Sequence, residues 1–232
     1  MRLPRAILVL ALVLPTAGAL VYFVATDPDD PLFRIAYTAS KLVQFAFPVA
    51  ALAFFVPGRL KAIRPSIRGL TSGIAVGLIT LTVILGFYFL LLRNGPILSG
   101  VSDAVKAKVG GFGLDSPKGF AALAVFLSVI HSFLEEYYWR WFVYAGLRER
   151  LPQAAAIALS SLAFAAHHLI VLLVYFPGRL LTATTPFALA VAVGGAIWAW
   201  LYDRHQSLAA PWAAHALTDV AIMAVGYDLL YR

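Results

Sequence analysis

Acidic, histidine and arginine residues recur at helical spacing in the C-terminal half of the sequence. The set consists of Glu135, Glu136, Arg140, His167, His168, His215 and Asp219. A carboxylate and imidazoles brought close together can take a proton from water and stabilise the charge that develops during hydrolysis. These residue types therefore indicate a hydrolytic site.

The first pattern holds two adjacent carboxylates and one guanidinium. Glu136 and Arg140 are four residues apart and can pair on one helical face. A structural salt bridge that allows both residues to be buried would explain this pair alone. Glu135 points about 100° away on the same helix. One arginine does not neutralise two carboxylates, so Glu135 remains a candidate general base.

The second and third patterns contain histidine. His215 and Asp219 are four residues apart, so the carboxylate can orient the imidazole and fix its tautomer. His168 lies in the middle of an earlier apolar segment. A lone buried histidine is ordinarily a satisfied core residue. Three polar patterns on three successive segments favour a shared site instead.

Composition identifies the environment of these residues. Of 232 residues, 62% are hydrophobic and 12% are charged, against about 25% charged in a soluble domain. The net charge of +7 is spread over the connections, with no basic domain to bind nucleic acid. No cysteine is present, which excludes disulfides and a thiolate nucleophile. The chain is predicted to be embedded in a lipid bilayer.

The apolar runs predict an all-α fold, a polytopic transmembrane bundle of about seven spans, because helices satisfy their own backbone in lipid. The predicted spans are Ala6–Ala25, Ile35–Val56, Leu70–Leu92, Phe120–Leu147, Ala154–Phe176, Phe187–Tyr202 and Ser207–Leu230. Pro177-Gly178 and Pro186 are taken to mark joints between spans. We expect residues 1–232 to form one membrane domain, with N-terminal spans and an amphipathic connection over 1–119 and a motif-bearing core over 120–232.

The polar connection 94–119 carries apolar residues at helical spacing and predicts a helix on the membrane surface. Lys and Arg counts in the connections, nine against seven, favour a cytoplasmic N-terminus. The basic cluster 59–68 and the acidic loop 27–30 point the same way. Lys41 lies near the outer end of its span and is expected to extend outward to the interface. The aromatic stretch 137–144 is expected to face lipid or to line a substrate cleft.

At 1.5 Å per residue, Glu135, His168, His215 and Asp219 fall at similar depths in their predicted spans. We therefore expect neighbouring helices to bring them together in one layer of the membrane.

The ordered patterns resemble the motifs of the CAAX-protease and bacteriocin-processing family of intramembrane glutamic endopeptidases. Two glutamates followed by arginine match at Glu135, Glu136 and Arg140. Phenylalanine followed four residues later by histidine matches at Phe164 and selects His168. Histidine followed four residues later by a polar residue matches at His215, with aspartate at 219 where the family usually has asparagine. The resemblance covers roughly residues 120–227.

The resemblance implies peptide-bond hydrolysis by an activated water, with no cofactor or metal. It assigns proton abstraction to Glu135 with His168, and stabilisation of the oxyanion to His215 with Asp219. Aspartate donates a hydrogen bond only when protonated, so Asp219 fits the orientation of His215 better than direct contact with the oxyanion. Glu136 and Arg140 are implied to hold the first core helix and are candidate contacts to the substrate backbone.

Several alternatives remain open at the level of sequence. Glu135, His168 and His215 are also a plausible two-histidine, one-carboxylate zinc site. A non-catalytic relative acting as an immunity factor or scaffold would keep the fold without the reaction. A transporter would need broken helices, and Gly194-Gly195 favours close helix packing instead.

The implied partners are the bilayer and a protein or peptide with a membrane-associated C-terminal or leader segment. The expected location is a cell membrane, that of a prokaryote on the evidence of short loops and family distribution.

Overall fold

The computed structural model describes residues 2–26, 31–57, 65–111, 113–114 and 116–232. Within these ranges the regular structure is helical, with eight helices, one short 3-10 turn and no strand. The helices are α1 Arg5–Val24, α2 Pro31–Phe55, α3 Ile67–Leu92, α4 Val101–Gly111, α5 Pro117–Arg148, α6 Gln153–Tyr175, α7 Leu180–His205 and α8 Ala209–Tyr231.

All of these helices except α4 are long and apolar enough to cross a bilayer, so the prediction of seven helical spans is confirmed. The predicted start of the sixth span at Phe187 was wrong. α7 begins at Leu180 and runs through Pro186. Pro186 is the second residue of the α-helical part, directly after the π-helical turn Leu180–Thr184. Proline is tolerated in the first turn of an α-helix. A proline in this position therefore does not separate two segments.

Two turns of wider π-helix interrupt α5. They span Phe126–His131 and Tyr137–Tyr144, on either side of the five-residue α-helical segment Ser132–Glu136. π-helical turns inside α-helices occur frequently at functional sites because they redirect side chains. The two glutamates of the first motif therefore lie where the helix changes its geometry twice.

The bundle packs around α5 and α8. α8 makes its most extensive contact with α3 and also packs against α5 and α7, while α6 packs mainly against α7 and α1. The π-helical segment Tyr137–Tyr144 of α5 contacts α1, α2, α6 and α7. Side chains from five helices therefore surround the middle of the bundle.

The aromatic stretch 137–144 lies in the protein core, and the expectation that it faces lipid was wrong. Tyr138, Trp139, Phe142 and Tyr144 are each no more than 2% exposed. The Tyr138 hydroxyl donates to the backbone carbonyl of Ala11, 2.7 Å away. A buried tyrosine hydroxyl usually has a hydrogen-bond partner. Because the partner of Tyr138 lies on α1, this hydrogen bond connects α5 to α1.

The predicted helix in the connection 94–119 is present as α4. Its apolar face packs against protein: Val101 and Val109 are buried, and Val101 lies in a cluster with Tyr88, Phe176 and Leu229. The Ser102 hydroxyl donates to the carbonyl of Leu229. α4 therefore closes one end of the bundle.

Polar contacts show which connections share an end of the bundle. Arg150 donates to the carbonyl of Leu3 at one end. At the other end Arg93 forms an ion pair with Asp228. The basic cluster and the acidic loop used to predict orientation lie mostly outside the described residues, at 58–64 and 27–30. A cytoplasmic N-terminus therefore stays a prediction.

Glycines on α3 allow its backbone to touch α8. A Cβ atom on Gly73 would overlap the carbonyl oxygen of Ala210, and one on Gly77 would lie 2.7 Å from the side chain of Leu217. Small residues four apart let membrane helices approach closely and gain van der Waals contact. This close packing fixes α8, which carries His215 and Asp219.

We predict that Gly73→Leu destabilises the protein, because the new side chain must push the α3 and α8 backbones apart. Overpacking of this kind costs about 1–3 kcal/mol or more. The measurement is thermal unfolding in detergent, followed by tryptophan fluorescence. Gly86→Leu is the matched control, since a Cβ atom on Gly86 has nothing within 4 Å. Equal unfolding temperatures for the two variants would contradict the proposed contact.

Candidate active site

The candidate site lies where α5, α6 and α8 meet. Its side chains are Glu135, Glu136, Arg140, His167, His168, His215 and Asp219. Five of them are no more than 3% exposed, whereas His168 and Asp219 are partly exposed. The prediction that neighbouring helices bring the three patterns together agrees with these contacts.

Glu136 joins α5 to α8. Its Oε1 accepts from Arg140 Nη1 at 2.8 Å and from His215 Nδ1 at 2.7 Å. Arg140 Nη2 also donates to the carbonyl oxygen of Gly195 on α7, at 3.2 Å. The predicted salt bridge between Glu136 and Arg140 is therefore present, and it extends to two further helices.

Aromatic rings enclose the Arg140 guanidinium. Its central carbon lies 4.8 Å from the ring centre of Phe164 on α6 and 5.2 Å from that of Trp198 on α7. Cation–π contacts of this kind are strongest where water is excluded. A Cβ atom on Gly195 would meet Phe164 and Ser161 at 3.3 Å, so glycine allows α6 and α7 to pack closely beside the arginine.

Glu135 faces imidazoles from three helices. Its Oε1 lies 3.4 Å from His167 Nε2 and 3.9 Å from His131 Nε2, and its Oε2 lies 3.8 Å from His215 Nε2. Arg140 instead bonds Glu136, as the spacing predicted. Glu135 is 2% exposed. The imidazole groups around its carboxylate can donate hydrogen bonds to it.

His168 has a defined tautomer. Its Nδ1 lies 3.0 Å from the carbonyl oxygen of Phe164, which only accepts hydrogen bonds, so Nδ1 carries the proton in this contact. Nε2 of the neutral ring then keeps its lone pair. This is the arrangement of a base that can accept a proton.

His167 lies closest to Glu135 among the histidines of α6, although the sequence motif selects His168. Its ring is parallel to Trp139 within 4°, and its Nδ1 has no partner among the described residues. The sequence motif alone gave this residue no role. Adjacent histidines on a helix point in different directions, and only packing decides which one meets the carboxylate.

The His215 ring is held by stacking and by hydrogen bonding. It stacks on Trp198 with ring centres 3.9 Å apart, and its Nδ1 contacts Glu136. Its Nε2 faces Asp219 Oδ1 at 3.6 Å and Glu135 Oε2 at 3.8 Å. The expected contact with Asp219 is present, but Glu136 provides the shorter contact that orients the ring.

Two neighbours of the site were not assigned a role from sequence. His131 precedes Glu135 by four residues, a spacing that could have signalled a contact on one helical face. Trp198 comes from α7, which carries no polar motif, and nothing in its sequence context indicates the stack on His215.

The described residues contain one group that could hold a metal ion. Glu135, His167 and His168 each offer a ligand atom, and these atoms lie within 4.8 Å of one another. Two imidazoles and one carboxylate are the donor set of many catalytic zinc sites. The zinc alternative therefore involves His167, whereas the sequence suggested His215, whose Nδ1 is bound to Glu136.

One part of the chain is similar to a known protein family. Residues 117–221 match the family model described as "Type II CAAX prenyl endopeptidase Rce1-like". No curated protein and no solved structure matched. The matched segment runs from the start of α5 into α8 and contains every motif residue of the site. Residues 117–221 are therefore similar to the Rce1-like family of type II CAAX prenyl endopeptidases.

Proposed function

We propose that this multi-pass membrane protein is an intramembrane endopeptidase. Its substrate is a protein or peptide with a membrane-associated C-terminal or leader segment, and it cleaves a peptide bond near the embedded end. The observation that carries the proposal is the buried Glu135 carboxylate, 3.4–3.9 Å from three imidazole nitrogens. A cellular membrane, that of a prokaryote, is the proposed location.

Glu135 and His168 act on the attacking water. Glu135 accepts a proton as the water attacks the carbonyl carbon, and the lone pair on His168 Nε2 offers a second acceptor. His167 donates to Glu135 and keeps the carboxylate in position. The proton then passes to the amine of the leaving peptide as the carbon–nitrogen bond breaks.

His215 stabilises the oxyanion of the tetrahedral intermediate. With Nδ1–H donated to Glu136, Nε2 donates to the oxyanion when the ring carries both protons. Before substrate binds, the proton on Nε2 of this doubly protonated ring faces the carboxylates of Asp219 and Glu135, which can accept a hydrogen bond from it. Donors placed in advance where charge develops supply a large share of catalysis. Glu136 and Arg140 act as positioning residues that hold α5, α7 and α8 around His215.

A zinc-dependent mechanism is the second candidate, and the ligand cluster of Glu135, His167 and His168 favours it. A bound zinc ion would polarise the carbonyl and lower the pKa of a bound water. The same three side chains would then be ligands.

We predict that Glu135→Gln lowers kcat by at least about 100-fold, because the amide cannot accept the proton from water. The assay is cleavage of a farnesylated peptide with a CAAX tail, and separately of a membrane-anchored leader peptide, in detergent. Asp103→Asn on α4, an exposed acid outside the motifs, is the control. Equal rates for Glu135→Gln and wild type would contradict the proposal.

The same assay with a strong chelator separates the two mechanisms. Under the glutamate mechanism, wild-type activity survives chelation and the purified protein carries no stoichiometric zinc. Loss of activity on chelation and its return with zinc would establish the second candidate.

We predict different effects for the adjacent histidines. His168→Gln should lower kcat by about 100-fold, because glutamine has no basic nitrogen. His167→Gln should lose far less activity, because its amide still donates to Glu135. Single-turnover cleavage rates measure both variants, and the reverse order would assign the proton acceptor to His167.

We predict that Asp219→Asn stays within about 10-fold of the wild-type kcat, because asparagine keeps the acceptor near His215 and adds a donor. The kcat of Asp219→Ala should fall further, since alanine has neither a hydrogen-bond acceptor nor a donor in its side chain. Steady-state kinetics of both variants provide the test. Greater loss in the asparagine variant than in the alanine variant would refute the orienting role.

A further inference from the structure

Lys41 does not extend to the nearer end of its helix. It lies 10 residues from Pro31 and 14 from Phe55 in α2, yet its Nζ donates to Gln44 Oε1 at 3.3 Å, three residues further from Pro31. Nζ also lies 5.7 Å from the ring centre of Phe45. The expectation that Lys41 extends outward to the interface was wrong, because its ammonium contacts the side chains of Gln44 and Phe45, which follow it on α2.

The Lys41 ammonium has no carboxylate partner among the described residues. A cation in the apolar part of a bilayer costs about 2.5–3.5 kcal/mol even on insertion scales, and such residues usually pair or bind a ligand. An extended conformation toward the interface would reduce that cost. The observed conformation therefore indicates that the ammonium binds a ligand inside the bundle.

Gln44 adds a second donor beside the ammonium. An ammonium only donates, so the amide oxygen must face Lys41 and the NH2 group points elsewhere. Gln44 is 3% exposed, and its Nε2 has no hydrogen-bond partner among the described residues. Two neighbouring side chains therefore present unused N–H donors without a negative charge. This arrangement suits a carboxylate, which accepts several charge-assisted hydrogen bonds.

A chain of contacts links these donors to Glu135. Phe45 contacts His131 edge to face with ring centres 6.1 Å apart, and His131 Nε2 lies 3.9 Å from Glu135. The Lys41 ammonium also lies within electrostatic range of Glu135. The contacts from Lys41 through Phe45 and His131 to Glu135 span at most about 17 Å, which about five residues of extended peptide can cover.

We propose that Lys41 and Gln44 form a subsite that binds a carboxylate of the substrate. This inference rests on the proposed function and assigns a recognition role to α2, which lies outside the family match. The carboxylate belongs either to the free C-terminus of the substrate or to an acidic side chain within about five residues of the cleaved bond.

The test compares three peptides that differ only at the C-terminal end: a free acid, its C-terminal amide, and an amide whose last residue is glutamate. Cleavage of each is measured with wild type, Lys41→Met and Lys41→Arg. Lys118→Met, which removes one positive charge from an exposed position, is the matched control. Thermal unfolding checks that each variant is folded.

We expect Lys41→Met to raise KM for the free acid by roughly 10–100-fold, as for loss of a charge-assisted hydrogen bond. KM for the amide should not change, and Lys41→Arg should restore most of the binding. If the effect follows the glutamate side chain instead, the carboxylate comes from a side chain. A fall in kcat that is equal for all peptides would overturn the proposal and assign Lys41 to the electrostatics of Glu135. Unchanged kinetics with all peptides would overturn it as well.

Binding of the same peptides to Glu135→Gln, measured by fluorescence anisotropy, provides a readout that needs no cleavage. Preference for the acid that disappears in the Glu135→Gln/Lys41→Met double variant supports the subsite. If this preference is observed while wild type cleaves nothing, the proposed function fails and the carboxylate site remains. Equal affinity for acid and amide overturns the site while leaving proteolysis to be judged by the Glu135 experiment.

Discussion

The burial of charge within the membrane governs this structure. Arg140 and Glu136 are almost fully buried, and an unpaired charge in such a place would be costly. Their pairing is completed by His215, by the carbonyl of Gly195 and by the rings of Phe164 and Trp198. Satisfying one guanidinium therefore requires α5, α6, α7 and α8 to meet at one depth. The same requirement places Glu135 among its imidazoles.

The helices that carry none of the sequence motifs make this arrangement possible. Gly73 and Gly77 bring the α3 backbone against α8, so the helix that bears His215 is held from the side opposite to the site. The buried Tyr138 ties α5 to α1 through the carbonyl of Ala11. Association of helices in lipid depends on close packing and internal hydrogen bonds, since lipid provides little hydrophobic drive between them. The geometry of the candidate site therefore depends on the whole bundle.

In the proposed carboxylate subsite, α2 connects this supporting part of the bundle to recognition of a substrate. Its inward-facing Lys41 and Gln44 approach the site through Phe45 and His131. A hydrolytic centre rich in carboxylates repels a substrate carboxylate, and a nearby cation offsets that repulsion. Positive charge on a separate helix leaves Arg140 to its structural contacts. The cation that holds the site together and the cation of the proposed subsite thus lie on different helices.

The sequence by itself determined the helical spans, the grouping of acids and histidines at one depth, and the pairing of Glu136 with Arg140. These follow from local regularities, namely the apolar length needed to cross a bilayer and the four-residue spacing of contacts on a helix. Tertiary structure alone decided that His167 meets Glu135, that Trp198 stacks on His215, and that Lys41 turns inward. The first two contacts join residues on different helices, and the third depends on the conformation that packing leaves to a flexible side chain. They are set by packing between helices, which no local pattern records.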